Sequence, residues 1–192
     1  MSIIKNITVD IIEDSRGIPS LSVTVITDTG FFGNCMVPSG ASTGEYEACE
    51  MRDDEKSTGG VMKAKEIILL KILPALLGKN VEDQKSIDHI LITLDGTPNK
   101  RVLGGNSIIG VSIACAKAAA KASGQEFYEY LKTFAPSTGS ITVPRLYFNL
   151  INGGKHADTD LAFQEYHIVP MVDTIDESLS IAKIIQEKLG EL

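Results

Sequence analysis

Three short segments combine residue types that can do chemistry with a spacing that is unusual for ordinary loops. The first runs from Val37 to Glu45 and consists largely of glycine and hydroxyl residues. Backbone N–H groups and serine oxygens in such a loop can approach an anion or a metal ion closely. It is not a nucleotide-binding P-loop, because no Gly-Lys-Ser/Thr follows. The same residues also fit a strand-to-helix turn in which Ser42 and Glu45 form a capping box.

The second segment, residues 152–158, follows a predicted strand and places two glycines directly before Lys155 and His156. Paired glycines beside two basic side chains could cradle a phosphate group. His156 alternates with Asp158 and Asp160, but Mg²⁺ rarely uses histidine and Zn²⁺ usually has more than one His or Cys ligand. A solvated loop without a ligand also fits this segment.

The third segment, residues 163–169, is a predicted strand with Glu165 in its middle. An ionised carboxylate inside a strand is costly unless it is paired, functional or turned towards water. If the strand belongs to a barrel, Glu165 would lie at the open end, where catalytic residues gather. His167, two residues further on, shares its face. A half-exposed strand with Glu165 in solvent is the alternative.

Hydrophobic periodicity predicts the elements that would position these segments. Short alternating runs separated by turns indicate an antiparallel β-meander over residues 3–37. Helical spacing follows over residues 61–77, 81–94, 106–122 and 126–134. The third of these helices carries small residues around its whole circumference, which predicts close packing on several sides. Strands followed by a run of helices indicate the α+β class.

A turn-rich stretch, residues 136–140, marks a predicted domain boundary. Beyond it we predict a strand over 145–151, a strand over 161–169 and a helix over 175–189. A capping box at Thr174 and Glu177 opens that helix. The predicted domains are therefore residues 1–136 and 137–192.

Composition excludes several classes of function. With 18 Lys+Arg against 25 Asp+Glu the net charge is −7, which argues against nucleic acid or an anionic membrane as partner. The longest apolar stretch, residues 67–77, is interrupted by Lys71 and Pro74 and is too short to span a bilayer. Three cysteines without a C-x-x-C pair are expected to be small buried residues in a reducing, cytoplasmic compartment.

The three segments belong to a longer set of strings that resembles the enolase family. The likeness extends over essentially the whole chain in the family's order, and the Pro-Ser-Gly-Ala-Ser-Thr-Gly string is the most specific part of it. The matching strings are Asp14-Ser15-Arg16-Gly17, Val37 to Glu45, Leu94 to Lys100, Leu103-Gly104 with Asn106, Ile151 to Ala157, and Gln164-Glu165.

The resemblance implies both an architecture and an activity. Residues 1–136 would form the N-terminal capping domain, and residues 137–192 the first ββα elements of a TIM-like barrel. Enolases interconvert 2-phosphoglycerate and phosphoenolpyruvate in glycolysis, a lyase reaction that uses two Mg²⁺. A lysine base removes the C2 proton, Mg²⁺ stabilises the dianionic intermediate, and a glutamic acid assists loss of the C3 hydroxyl.

The resemblance also implies roles for particular residues. Ser39 is identified as a ligand of the second Mg²⁺, His156 as a substrate-contacting histidine, and Gln164 and Glu165 as the pair at the reacting end of the substrate. Glu165 would be catalytic, holding the departing hydroxyl or water beside the general acid. The mobile loop that closes on the substrate would comprise Gly40, Ala41, Ser42, Thr43 and Gly44.

Two departures from the family pattern concern association between subunits. Ser22 stands where the family has a strand glutamate that takes part in the dimer contact, and residues 57–60 form a shorter loop than usual. A homo-oligomer of the family's kind therefore does not follow from the resemblance.

The largest departure concerns the catalytic machinery. A complete barrel needs roughly 250 residues, and the family's general-acid glutamate, lysine base and high-affinity Mg²⁺ carboxylates would follow residue 192. We expect these 192 residues alone to be inactive. The alternatives are a non-catalytic binding or interaction protein and one subunit of a split enzyme. A third alternative is a relative in the enolase superfamily that dehydrates or racemises another acid. The match over residues 39–44 and 153–157 speaks against it, because such relatives share the barrel chemistry more than these loops.

Overall fold

A computed structural model describes residues 1–40, 44–54, 59–135, 139 and 141–191. Three residues of the predicted mobile loop, Ala41, Ser42 and Thr43, lie outside the described residues. So do Ser57 and Thr58 of the shorter loop and most of the predicted boundary at 136–140. Contacts divide the chain into two compact units, Met1–Ser137 and Thr138–Leu192.

The alternating residues at the start of the chain form a three-stranded antiparallel sheet, as predicted. Its strands are β1 (Ile4–Glu13), β2 (Pro19–Thr27) and β3 (Phe32–Met36), in the order β1-β2-β3. Val23 in the central strand pairs with Val9 on one side and Cys35 on the other. All three side chains are buried, so one face of the sheet contributes to the core.

Helices follow the sheet within the first unit. They are α1 (Met62–Ile67), α2 (Leu73–Leu76), α3 (Gln84–Asp95), α4 (Gly105–Ala122) and α5 (Phe127–Lys132). The sequence predicted one continuous helix over 61–77, whereas a π-helical stretch, Ile68–Ile72, separates α1 from α2. Pro74 lies in the first turn of α2 and has no N–H to donate to the preceding turn, which accounts for the irregularity.

Small residues bring α4 against the sheet, which confirms the predicted close packing. A Cβ built on Gly33 of β3 would lie 2.1 Å from the carbonyl oxygen of Ala114 and 2.4 Å from the amide nitrogen of Ala118. On the helix side, a Cβ on Gly110 would lie 2.9 Å from Cγ2 of Val23. Both positions therefore favour glycine, because a Cβ on Gly33 would meet the backbone of α4 and one on Gly110 would meet valine methyl groups of the sheet side.

The second unit contains one hairpin and one helix. Its strands β4 (Phe148–Asn152) and β5 (Glu165–Ile168) pair antiparallel, with the 3₁₀ turn Gly154–His156 between them, and α6 spans Ile175–Gly190. The predicted strand over 161–169 is too long. Residues 161 and 164 instead use their carbonyls to accept hydrogen bonds from the amides of Gly154 and Gly153, both at 3.0 Å.

The α+β class is confirmed: an antiparallel sheet precedes the helices, and the barrel elements form no closed barrel in the part of the chain that is described. None of the described helices is both long enough and apolar enough to cross a bilayer. The prediction of buried cysteines holds for Cys35 and Cys115 and is wrong for Cys49, which is exposed because it lies in an irregular segment before α1.

Candidate functional site

Ser39, the predicted metal ligand, lies just after β3 and is half-buried. Its Oγ accepts a hydrogen bond from Arg52 Nη2 at 2.9 Å, and its carbonyl oxygen accepts one from Arg16 Nη2 at 3.1 Å. Both oxygens of the residue are therefore bonded to positively charged donors. Each guanidinium is in turn paired with a carboxylate, Arg52 with Glu50 and Arg16 with Asp14, both at 2.7 Å.

Asp14 holds Arg16 in place at the end of β1. The carboxylate accepts from Arg16 Nε at 2.9 Å and from Nη2 at 2.7 Å, and it also accepts from the Ile18 amide at 2.9 Å. The bond from Ile18 and those from Arg16 outweigh desolvation and hold the pKa of Asp14 below its usual value. The Asp14-Ser15-Arg16-Gly17 string thus forms a tight turn that presents a guanidinium to Ser39.

The segment that carries Arg52 is tied to the start of α4. Asn106 bonds both sides of the Met51 peptide, with Oδ1 accepting from the Met51 amide at 2.9 Å and Nδ2 donating to its carbonyl at 3.0 Å. The Gly105 amide donates to the Cys49 carbonyl at 2.7 Å. Gly104, with φ +88°, allows the turn that makes this approach possible.

Asp95 organises the turn between α3 and α4. Its carboxylate accepts from the amides of Thr97, Val102 and Leu103 at 2.9, 3.1 and 2.8 Å. Burial acts to raise its pKa, but these bonds and one from the Thr97 hydroxyl lower it overall. The strings from Leu94 to Asn106 therefore act structurally, by holding the segment that carries Arg52.

A cavity of about 430 Å³ borders the predicted loop. Pro38 and Gly40 line one side of it, Glu47 and Glu50 a second, and Ile109 of α4 a third. Its size is within the range of small-molecule sites in general. The cavity lies entirely within the first unit.

The predicted substrate residues of the second unit come from one hairpin. Asn152 pairs with Glu165 across the β4–β5 ladder, and Gln164 precedes that pair. The turn that holds His156 is anchored by its amide, which donates to the Gly153 carbonyl at 3.1 Å. The structure thus brings the backbones of His156, Gln164 and Glu165 to the same end of the hairpin.

The two glycines of this turn have a packing role. A Cβ on Gly153 would lie 2.4 Å from the Phe163 carbonyl oxygen, and Gly154 has φ +56° with Gln164 Cγ 3.1 Å from its built Cβ. The pair lets the turn pass directly over residues 161–164. This contact explains the Gly-Gly pair without a bound phosphate.

Glu165 contacts His167, the residue predicted to share its strand face. Its Oε2 lies 2.9 Å from His167 Nε2, and the imidazole packs edge-on against Tyr147 at 6.3 Å between ring centroids. The Glu165 side chain is 47% exposed and that of His167 is 36% exposed. A carboxylate beside an imidazole can exchange a proton with it and can hold a hydroxyl or a water molecule by hydrogen bonding.

Comparison with protein families identifies both units. Residues 4–131 match the model described as "Enolase, N-terminal domain". Residues 140–192 match "Enolase, C-terminal TIM barrel domain". The chain belongs to the enolase family. This confirms the resemblance on which the expected site residues rest.

The Mg²⁺ chemistry of enolases was compared with the donor groups present. Among the described residues, no three His, Cys, Asp or Glu side chains converge as a metal-binding group. Ser39 Oγ accepts from the guanidinium of Arg52, which is itself paired with the Glu50 carboxylate at 2.7 Å. The role of Ser39 as a Mg²⁺ ligand therefore stays a prediction from the resemblance.

Sequence reasoning missed Arg52 as a residue of this region. Its partners include the carbonyls of Pro19 and Gly59, which any residue type could provide, so no side-chain motif signals them. Ser22, which the resemblance linked to the dimer contact, accepts from Asn34 Nδ2 at 2.9 Å between β2 and β3. Its hydroxyl is thus used within the sheet of its own chain.

Proposed function

We propose that this enolase chain contributes to the reversible dehydration of 2-phosphoglycerate to phosphoenolpyruvate in the cytoplasm. The proposal takes residues 1–136 as the capping domain and 137–192 as the start of the barrel. The observation that carries it is the gathering of His156, Gln164 and Glu165 at one end of the β4–β5 hairpin. These are the residues that the resemblance assigns to the substrate.

In this proposal the hairpin binds and orients the substrate at its reacting end. His156, exposed on its turn, contacts the substrate, and Gln164 offers an amide donor and acceptor beside it. Glu165 holds the C3 hydroxyl, or the water that it becomes, by a hydrogen bond to its carboxylate. His167 is 2.9 Å from Glu165 and can keep that carboxylate oriented.

The loop of residues 39–44 is proposed to cover the substrate and exclude water, as its glycines and small residues suggest. Enolases supply electrostatic stabilisation of the carbanion through Mg²⁺, and we propose the same requirement here. No step of the proposed reaction passes through Ser39, whose two oxygens accept hydrogen bonds from Arg52 and Arg16 in this arrangement.

The complete gene product containing these residues tests the proposal. Formation of phosphoenolpyruvate from 2-phosphoglycerate is followed with Mg²⁺ for the wild type and for Glu165→Gln. We expect kcat to fall about 10²-fold or more, the usual loss for a group that takes part in proton transfer or holds the leaving group. Glu177→Gln is the matched control, since it makes the same change at an exposed position in the first turn of α6.

Two outcomes would contradict the proposal. One is a Glu165→Gln enzyme within threefold of the wild type. The other is a gene product, free of host enolase, that forms no phosphoenolpyruvate. If that product binds phosphoenolpyruvate without forming it, the non-catalytic alternative is supported instead.

A further inference from the structure

Another cavity of the first unit is lined by residues of α3, α4 and α5. Its volume is about 430 Å³, which is within the range of small-molecule sites. Its apolar wall comes from α4, α5 and the residue two positions after α5: Ile113, Ala116, Phe127, Leu131 and Phe134. Leu131 is 44% exposed and Phe134 is 39% exposed. The wall therefore reaches the surface, and a ligand can enter without unfolding of the helices.

The polar end of this cavity is built around the carboxylate of Asp88. Gln84 Nε2 donates to Asp88 Oδ1 at 3.0 Å, and Ser112 Oγ donates to the same oxygen at 2.7 Å. Gln84 Nε2 also donates to Ser112 Oγ at 3.1 Å, which joins α3 to α4. Both bonds to Asp88 end on Oδ1. Its Oδ2 accepts no hydrogen bond from the described residues, and Asp88 forms no ion pair with them.

The amide of Gln84 is oriented at a cost to the folded chain. The residue is 7% exposed, and its Oε1 is buried without a hydrogen-bond partner in the part of the chain that is described. Turning the amide over would place Oε1 against the carboxylate of Asp88, where neither group can donate. Because a buried acceptor without a partner is destabilising, stability alone does not explain this network. What the network provides is a fixed Asp88 with one free oxygen.

The charges around Asp88 favour a cation over an anion. Burial, and next the Glu82 carboxylate, raise the pKa of the Tyr130 phenol to about 12, and Asp88 acts in the same direction. The negative field of α3 therefore extends to α5. Lys85 also lines the cavity, but it is exposed, where water and salt screen its charge. Lys117 Nζ lies 5.7 Å from the centre of an aromatic ring of α5.

We propose that this cavity binds a small organic amine in its protonated form. The ammonium group donates a charge-assisted hydrogen bond to Asp88 Oδ2, and an apolar ring or chain packs against Phe127, Leu131 and Phe134 and removes them from water. None of the lining residues is one that the resemblance assigns to 2-phosphoglycerate. The site is therefore additional to the proposed activity, and its carboxylate would repel that anionic substrate.

Tryptamine is the probe that tests this proposal. The chain contains no tryptophan, so indole fluorescence reports the probe alone, and its anisotropy measures binding to the full chain. Tryptamine carries an ammonium group at neutral pH, whereas tryptophol has a neutral hydroxyl in the same place. We expect tryptamine to bind at least about 10-fold more tightly than tryptophol, the gain from one hydrogen bond to a charged group.

Asp88→Asn tests the polar end of the cavity. Asparagine can keep one oxygen for Gln84 and Ser112, but it replaces Oδ2 by a donor and removes the charge. The preference for tryptamine over tryptophol should therefore disappear. Asp10→Asn makes the same change at an exposed position of β1 and should keep the preference.

Phe134→Ala tests the apolar wall. Loss of the ring should weaken the binding of both probes at least about fivefold, because less apolar surface is covered. Phe31→Ala removes a ring that is similarly exposed, at 41%, but does not line the cavity. It should leave both affinities unchanged.

Three results would overturn the proposal. They are equal affinities of the two probes for the wild type, an Asp88→Asn chain that still prefers tryptamine, and no binding of tryptamine up to about 5 mM, since a ligand of this size that fills a site should bind below that concentration. The comparison on the wild type decides even if Asp88→Asn does not fold. Because no measurement uses turnover, the amine site and the enolase activity can fail independently.

Discussion

The two units of the chain differ in how much apolar surface they bury. Of the hydrophobic side chains found buried among the described residues, all but Ala182 belong to the unit Met1–Ser137. In Thr138–Leu192, Val143 and Tyr147 are each 67% exposed and Phe163 is 71% exposed. A dense core determines local geometry through many contacts at once, whereas an exposed hairpin depends on a few hydrogen bonds.

This difference also separates the candidate residues of the first unit from those of the second. Ser39 is hydrogen-bonded to Arg52, and the segment that carries Arg52 is hydrogen-bonded to Asn106 in the core of the unit. In the second unit, backbone hydrogen bonds between β4 and β5 and within one turn position His156, Gln164 and Glu165. We therefore expect the first unit to be sensitive to changes of packing and the second to tolerate them.

The largest effect is expected from Gly33→Ala. The added methyl group would lie 2.1 Å from the Ala114 carbonyl oxygen and 2.4 Å from the Ala118 nitrogen, so β3 or α4 must move. We expect a loss of at least ~3 kcal/mol in the free energy of unfolding, measured by urea denaturation with circular dichroism.

Gly190→Ala in α6 is the matched control in the second unit, because nothing lies within 4 Å of its built Cβ. Its effect should stay within about 1 kcal/mol and be stabilising if anything. Equal destabilisation by the two substitutions would remove the contrast between the units.

Hydrogen exchange compares the units directly. Amides in the centre of α4, where Val111, Ala114 and Ala118 are fully buried, should be protected about 100-fold more strongly than amides in the centre of α6, which buries Ser178 and Ala182. The measurement is amide exchange by NMR or mass spectrometry on the intact chain. Similar protection in the two helices would show that the second unit is stabilised by contacts other than its own burial.

Asp95→Asn should weaken the first unit by about 1–3 kcal/mol, because the amide that replaces one carboxylate oxygen cannot accept from the Val102 and Leu103 N–H groups. The folded pKa of Asp95 is lowered from 3.8, so its contribution is present above that pH and is lost as the pH falls through the lower folded value. The free energy of unfolding of the variant should therefore fall less steeply than that of the wild type as the pH is lowered from 5 to 2.

Asp10→Asn is the control for this substitution, because Asp10 is exposed on β1. Its effect should be within about 0.5 kcal/mol. If both variants lose the same stability, the hydrogen bonds of Asp95 are not what holds the turn before α4.

The smallest effect is expected at high pH from Tyr130 of α5. Burial, and next the Glu82 carboxylate, raise the pKa of its phenol to about 12. Its neutral form is therefore favoured by folding, and this contribution is complete below the unfolded pKa of about 10 and is lost as the pH rises towards 12. Tyr130→Phe should remove part of the decline in stability over that range, of order 1–2 kcal/mol.

Tyr128→Phe, on the same helix but 55% exposed, should leave the decline unchanged. Stability is followed by thermal unfolding from pH 9 to pH 11.5. Identical profiles for the two variants would show that the Tyr130 phenol is not held neutral by the fold.

Local patterns in the sequence predicted most elements because they depend on neighbours a few positions apart. The spacing of small residues in α4 predicted its close packing, which Gly33 and Gly110 confirm. The predicted helix over 61–77 contains a π-helical stretch, because Pro74 has no N–H to donate to the preceding turn, a local effect that the apolar period does not report. The strand predicted over 161–169 is shorter in the structure. The carbonyls of residues 161 and 164 accept hydrogen bonds from the two glycines of the facing turn instead of pairing in a strand ladder.

The family strings identified the chain but did not reveal which of their residues position others. Asp95 and Asn106 serve the turn before α4 and the segment at Met51. Cys49, expected to be buried, is exposed in that same segment. Composition cannot distinguish a cysteine of a helix core from one of an irregular loop, because burial depends on what packs over it.

The sequence by itself determined the family and the α+β class, because these depend on residue types and local periods. The tertiary structure alone decided that Ser39 is bonded to Arg52, 13 positions away. The contact of Glu165 with His167, by contrast, joins side chains that the strand period already places on one face. The guanidinium of Arg52 also meets Pro19, 33 positions away. The contacts of Arg52 form only once the first unit has folded, since directed hydrogen bonds need positions that the folded backbone sets.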